Sequence, residues 1–250
     1  MKFSKPKMNF YIMSEKDCLE NLKMFLNYDS LDNIDFCTNN IINYFNIDIN
    51  RLKQEQGNYL LNIIESHYDK DILNINLQET KKEWLKIESD ILKILEDIFN
   101  VKYESIENYS AIVGINPVCP RFLNQRSFCI FNKNSSKENI NVIIHELIHF
   151  YWFAFWDEYI YKLPDNKKEF PSVEWAFSEL AIDAIITQTD LSNYITLKKP
   201  AYDYFYDIKV NNKLLIDIFR NMYNDHSLKE FMLQGIEYIN KQIATDDLIK

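Results

Sequence analysis

His145, Glu146 and His149 form an H-E-x-x-H in a chain of 250 residues that holds only four histidines. Imidazoles four residues apart lie on one face of an α-helix, one turn apart, so both can reach a single metal ion. Glu146 sits about 100° further round the helix. From there it can hold a water on that metal without ligating it. The chemistry that suits these three residues is metal-assisted hydrolysis. The plainer alternative is a core helix whose histidines are satisfied by local hydrogen bonds. It would leave two imidazoles and a carboxyl on an apolar helix with nothing bound, which is costly.

A catalytic zinc takes three protein ligands and keeps one position for water. The third ligand must come from another element. His67 and His226 remain, together with many carboxylates. His67 falls at the end of a predicted helix, where a surface or capping role is expected. The stretch from Ser172 onward is a better source. Pro171 and Ser172 read as a helix start. Glu179 and Asp183 then share one face of an otherwise apolar helix and need partners. A zinc for Glu179 and a ligand imidazole N–H for Asp183 would satisfy both. Glu174 is an alternative ligand, but four residues on it meets Ser178 rather than an acid.

H-E-x-x-H followed by E-x-x-x-D resembles the gluzincins, the thermolysin-like zinc metallopeptidases. The resemblance covers roughly residues 127 to 190. It implies His145, His149 and Glu179 as zinc ligands, Glu146 as general base, and Asp183 as the outer partner of a zinc-bound imidazole. It also implies a peptide or protein substrate and a small sheet ahead of the metal-binding helix. The edge strand of such a sheet can pair with an extended peptide, and Ser127–Phe131 is the candidate edge, with an ordinary interior strand as the alternative. Two departures stand out. Ser178 occupies the position before Glu179, where Asn is common in the family. Glu179 follows His149 by thirty positions (179 − 149), which requires an ordered loop. Related enzymes use a downstream His or Tyr to stabilise the oxyanion. His226 fits by its order in the chain, and Tyr159, Tyr161, Tyr202, Tyr204 and Tyr206 compete for the role.

The elements that must position these groups are legible in the pattern. Ser135 and Glu138 form a capping box ahead of the motif. Ile140, Ile144, Leu147, Tyr151 and Phe155 then make an apolar stripe. A second row carries Asn141, His145, His149, Trp152 and Trp156. Further helices are predicted from Ser14 to about Asn27, near Asn39–Phe45, over Arg51–Tyr68, over Glu79–Phe99, over Asn211–Tyr223 and over Ser227–Ile243. Strands are predicted at residues 8–13, 109–115 and 127–131. The expected fold is α+β and predominantly helical, with a zincin-like core. Residues 1–100 read as a mainly helical N-terminal region and 101–250 as the catalytic region.

Composition narrows the function classes. A hydrophobic content of 47% with only three Gly favours a packed, mainly helical core. The net charge of −9 would repel a phosphate backbone, so nucleic acid is not an expected partner. Cys18, Cys37, Cys119 and Cys129 lack C-x-x-C spacing and are expected to be reduced. No stretch has the make-up of a cleavable leader or a membrane span, so a cytoplasmic location without a membrane partner is expected. The leading reading is a zinc metallopeptidase. Its rivals are a protease dedicated to one partner protein and a non-catalytic binding module stabilised by zinc.

Overall fold

The computed structural model describes residues 8–27, 31–32, 34–102, 109–243 and 248. It is α+β and predominantly helical, with a small mixed sheet. The chain forms two compact units, each drawn from two segments. The first comprises residues 1–86 and 107–143, and the second 87–106 and 144–250. The second unit's two segments start at Ile87 and Ile144, inside long helices that carry no Pro or Gly to mark a boundary in the sequence.

The first unit opens with β1 (Asn9–Ile12), α1 (Glu15–Phe25), α2 (Phe36–Phe45) and α3 (Ile49–His67), followed by the first part of α4 (Lys70–Phe99). Ser14, Asp35 and Asp48 cap α1, α2 and α3 by accepting backbone N–H groups of the first turn. His67 closes α3, its Nδ1 against the Ile63 carbonyl, so it has the helix-end role expected of it. Helix α4 begins at Lys70, nine residues before the predicted Glu79 (79 − 70). Leu73 and Leu77 extend its buried row. Asn76, a poor helix former, is held there by tertiary hydrogen bonds.

The sheet follows, with β2 (Ser110–Gly114), β3 (Arg121–Phe122) and β4 (Ser127–Phe131). The strand order is β1-β2-β4-β3. β1 and β4 run parallel to β2, and β3 is antiparallel to β4. This corrects the reading of Ser127–Phe131 as an edge. β4 lies between β2 and β3 and is buried along its whole length. A strand buried on both faces shows no polar alternation from which a free edge could be read. The two-residue β3 is too short to leave a periodic signal.

Helix α5 (Ser136–Tyr159) starts in this unit. Ser135 and Glu138 form the reciprocal cap at its head. Asn139, fully buried, donates to Asn76 and Thr80 of α4, and Asn76 donates to the Asn134 carbonyl. This closed amide network fixes the first turn of the helix that carries the histidines.

The second unit contains the remainder of α4 and α5, then α6 (Val173–Thr187), a two-stranded ribbon of β5 (Lys209–Val210) and β6 (Lys213–Leu214), α7 (Leu215–Asp225) and α8 (Leu228–Gln242). Residues Ala176 through Ile186 of α6 are all buried. Phe177 of α6 meets Trp152, Trp156, Phe219 and Phe231 in a cluster of edge-on and tilted rings. Such rings dominate core energetics. Gly235 of α8 lies directly against the Phe177 ring, and a Cβ there would overlap it. Gly235→Ala should therefore destabilise the chain by about 1–3 kcal/mol, although Ala is the better helix former by roughly 1 kcal/mol. Urea unfolding checks this, and the opposite sign would mean that the ring has room to move.

Among the described residues no helix is long and apolar enough to cross a membrane. Among the described residues none of the four cysteines forms a disulfide. Cys18 is pushed up to about 11 by burial, which makes it a poor nucleophile.

Candidate metal centre

α5 and α6 bring the predicted ligands together. His145 and His149 stand one turn apart on α5, and Glu179 faces them from α6. The loop that joins these helices is ordered by local bonds. Asp157 accepts the Leu163 N–H at 2.9 Å and the Lys168 ammonium at 2.6 Å. Ser172 donates to the Lys167 carbonyl and caps α6 by accepting the Trp175 N–H. The thirty-position gap is thereby closed by structure.

Three donor atoms converge. His145 Nε2 lies 3.1 Å from Glu179 Oε2, and His149 Nε2 lies 3.2 Å from Glu179 Oε1. The two Nε2 atoms are 3.1 Å apart. Ligands ~2.05 Å from a tetrahedral zinc stand roughly 3.3 Å from one another, so the triangle matches such a set. Each Nε2 could instead donate a proton to Glu179. The two N–H groups would then face each other at 3.1 Å, an unfavourable contact. A shared cation removes that conflict, because all three lone pairs then point at positive charge.

Burial sets the electrostatics. Burial by itself would raise the Glu179 carboxyl, but the charges and hydrogen bonds of His149 and His145 hold it well below the usual carboxylate range. His149 is fully buried, whereas His145 keeps 23% of its side chain exposed. The cluster is therefore open to solvent on the His145 side. Glu146, next to His145, is buried. Glu174, the alternative ligand, pairs with Lys167 at 3.4 Å and is not in the cluster.

Asp183 departs from expectation. Its buried carboxylate does not take a ligand imidazole. It accepts Arg220 Nε at 2.6 Å and Arg220 Nη2 at 3.0 Å, in the forked geometry that guanidinium favours. It also accepts the Tyr206 hydroxyl at 2.5 Å. Burial and this hydrogen bond to Asp183 push the Tyr206 phenol up, and the Asp183 hydrogen bond does the same for Arg220. Arg220 lies on α7, so the fork ties α7 to α6 one turn beyond Glu179. The missed signal was in the sequence: Arg220 is the only Arg after residue 126. Removing one partner of a buried pair strands the other charge. Arg220→Met is therefore expected to cost about 3 kcal/mol. Pairing it with Asp183→Asn should recover much of that loss in urea unfolding.

The oxyanion candidates have partners of their own. His226 ends α7 with its Nδ1 against the Met222 carbonyl. Among the described residues it makes no hydrogen bond to the triad, so the expectation drawn from chain order gains no support from contacts. The hydroxyl of Tyr159 donates to the Asn100 carbonyl, and that of Tyr204 to the Leu248 carbonyl. Tyr202 stacks on Tyr204, and Tyr161 packs edge-on against Trp156.

Compared with protein-family models, with curated proteins and with solved structures, the chain matches none.

Proposed function

We propose that this chain is a zinc-dependent peptidase whose metal is held by His145, His149 and Glu179 and whose general base is Glu146. The observation that carries the reading is the triangle of donor atoms 3.1–3.2 Å apart with one exposed side. Two imidazoles and a carboxylate suit zinc, and three protein ligands leave a position for water. A zinc kept only for stability is usually closed by four protein ligands. Among the described residues the cluster holds three.

A zinc ion there would supply Lewis acidity and bring the pKa of a water towards about 7. His145, His149 and Glu179 would fix its position, because two helices hold them. Glu146 accepts the proton of the water as its oxygen attacks the peptide carbonyl. It then hands that proton to the leaving amine as the C–N bond breaks. Buried beside His145, Glu146 acts in a setting where its charge is poorly screened.

Zinc analysis tests the reading. Purified protein should carry one zinc per chain, lose it to a chelator, and regain it on zinc addition. Cleavage of a proteome-derived peptide library should follow the metal through that cycle. Absence of stoichiometric zinc, or cleavage that ignores the chelator, would overturn the proposal.

A further inference from the structure

A second recognition site is built into the first unit. A cavity of about 540 Å3 opens over one face of the sheet, beside α1. Tyr11, Ile112 and Phe122 line it from the sheet, and Met24 from α1. Tyr11 and Ile112 are register partners on β1 and β2, so their side chains share that face. Tyr11 and Met24 are each 53% exposed. A hollow of this size, lined by apolar side chains together with Asp17, Glu20, Asn21 and Gln125, has the form of a ligand site.

The polar groups define what would fit. Asn21 lines the cavity, is only 4% exposed, and accepts from Asn116 Nδ2 at 2.6 Å. Its own Nδ2 has no hydrogen-bond partner among the described residues. A buried amide N–H left unpaired costs about 1–3 kcal/mol, so it favours a ligand with an acceptor such as a carbonyl. The charged lining residues are Asp17 and Glu20, and no Lys or Arg lines the cavity. Asp17 is bonded to Ser14 and Glu20 to Lys23 on the exposed helix face. Such exposed pairs are weak and open to exchange.

The neighbouring backbone selects among ligand types. β1 is the outer strand of the sheet. Asn9 and Met13 direct their N–H groups to the Tyr109 and Val113 carbonyls of the β2 side. Alternation then turns the backbone groups of Phe10 and Ile12 away from β2, where no further strand lies among the described residues. Ile12 and Met13 also border the cavity. An open strand edge beside a partly apolar pocket with an acidic rim is the arrangement for adding a peptide strand.

We infer that this face of the first unit binds an extended peptide in which apolar residues alternate with Lys or Arg. The strand pairs with β1, an apolar side chain enters the cavity, a peptide carbonyl meets Asn21, and the basic side chains meet Asp17 and Glu20. The site is independent of the metal centre and does not rest on the peptidase reading.

The probe is an immobilised library of heptapeptides that alternate apolar residues with Lys or Arg, matched by one with Glu in place of the basic residues. Binding is measured on the full chain with chelator present, so that metal-dependent cleavage cannot consume the probe. The basic library should be retained in preference to the acidic one. Glu20→Lys reverses a charge on an exposed position and should weaken retention about tenfold. Met24→Lys should weaken it as well, with circular dichroism of both variants unchanged. A selected basic peptide should also shift the Asn21 side-chain amide resonance. Equal retention on the two libraries, retention indifferent to both variants, or an unmoved Asn21 amide would overturn the inference.

Discussion

Glu146→Gln is expected to keep one zinc per chain and an unchanged unfolding midpoint while lowering peptide hydrolysis by about 10²–10⁴-fold. The substitution preserves shape and hydrogen-bonding capacity but removes the carboxylate that accepts a proton. Glu146 is buried yet lies outside the three-residue donor cluster, so the metal should not depend on it. The paired measurements are zinc content and the rate of cleavage of a selected library peptide. Full activity in the variant would show that another group moves the proton. Loss of zinc together with activity would instead make Glu146 a ligand, which the convergence of His145, His149 and Glu179 does not require.

His149→Ala is expected to remove the metal outright. Loss of a group that merely supports a ligand costs 10–100-fold in affinity, so loss of a ligand should cost more than about 100-fold. The consequence for stability follows by linkage. Zinc at ~100 times its dissociation constant stabilises a wild-type site by about 2.7 kcal/mol, and a variant that cannot bind gains nothing. The comparison is the zinc-induced shift in unfolding midpoint, wild type against variant. His149 is fully buried, so the variant will also lose packing. That loss appears equally with and without zinc and separates from the linkage term. A zinc-induced shift of wild-type size in His149→Ala would remove this imidazole from the ligand set.

The two experiments address different links. The first tests chemistry at a fixed metal, and the second tests the metal itself. Arg220→Met tests neither directly, since Arg220 meets Asp183 rather than the donor cluster. It reports on how firmly α7 is tied to the helix that carries Glu179.

Much of the local structure was legible in the chain. The capping boxes at Ser135 and Ser227 are formed as read. The strand at Ser127–Phe131 and the helix after Ser172 begin where turn and cap residues place them. These features are decided by neighbours a few residues apart, and sequence displays such neighbours directly. The convergence of Glu179 with His145 and His149 could also be anticipated. Two acids and two imidazoles on apolar helices must find partners, and few were on offer.

Partner choice across elements was not legible. Asp183 could satisfy its charge with an imidazole or a guanidinium, and its spacing from Glu179 is the same in both cases. Only the packing of α7 against α6 brings Arg220 within reach. His226 follows the motif in chain order, yet it spends its Nδ1 on the end of its own helix. Whether Ser127–Phe131 was an edge depended on β3, two residues long, and on which strands β4 would pair with on its two sides. Sequence by itself determined which groups need a partner, because that need is set by residue type and local burial. The tertiary structure decided which partner each one met, because that depends on distances between segments that no local pattern encodes.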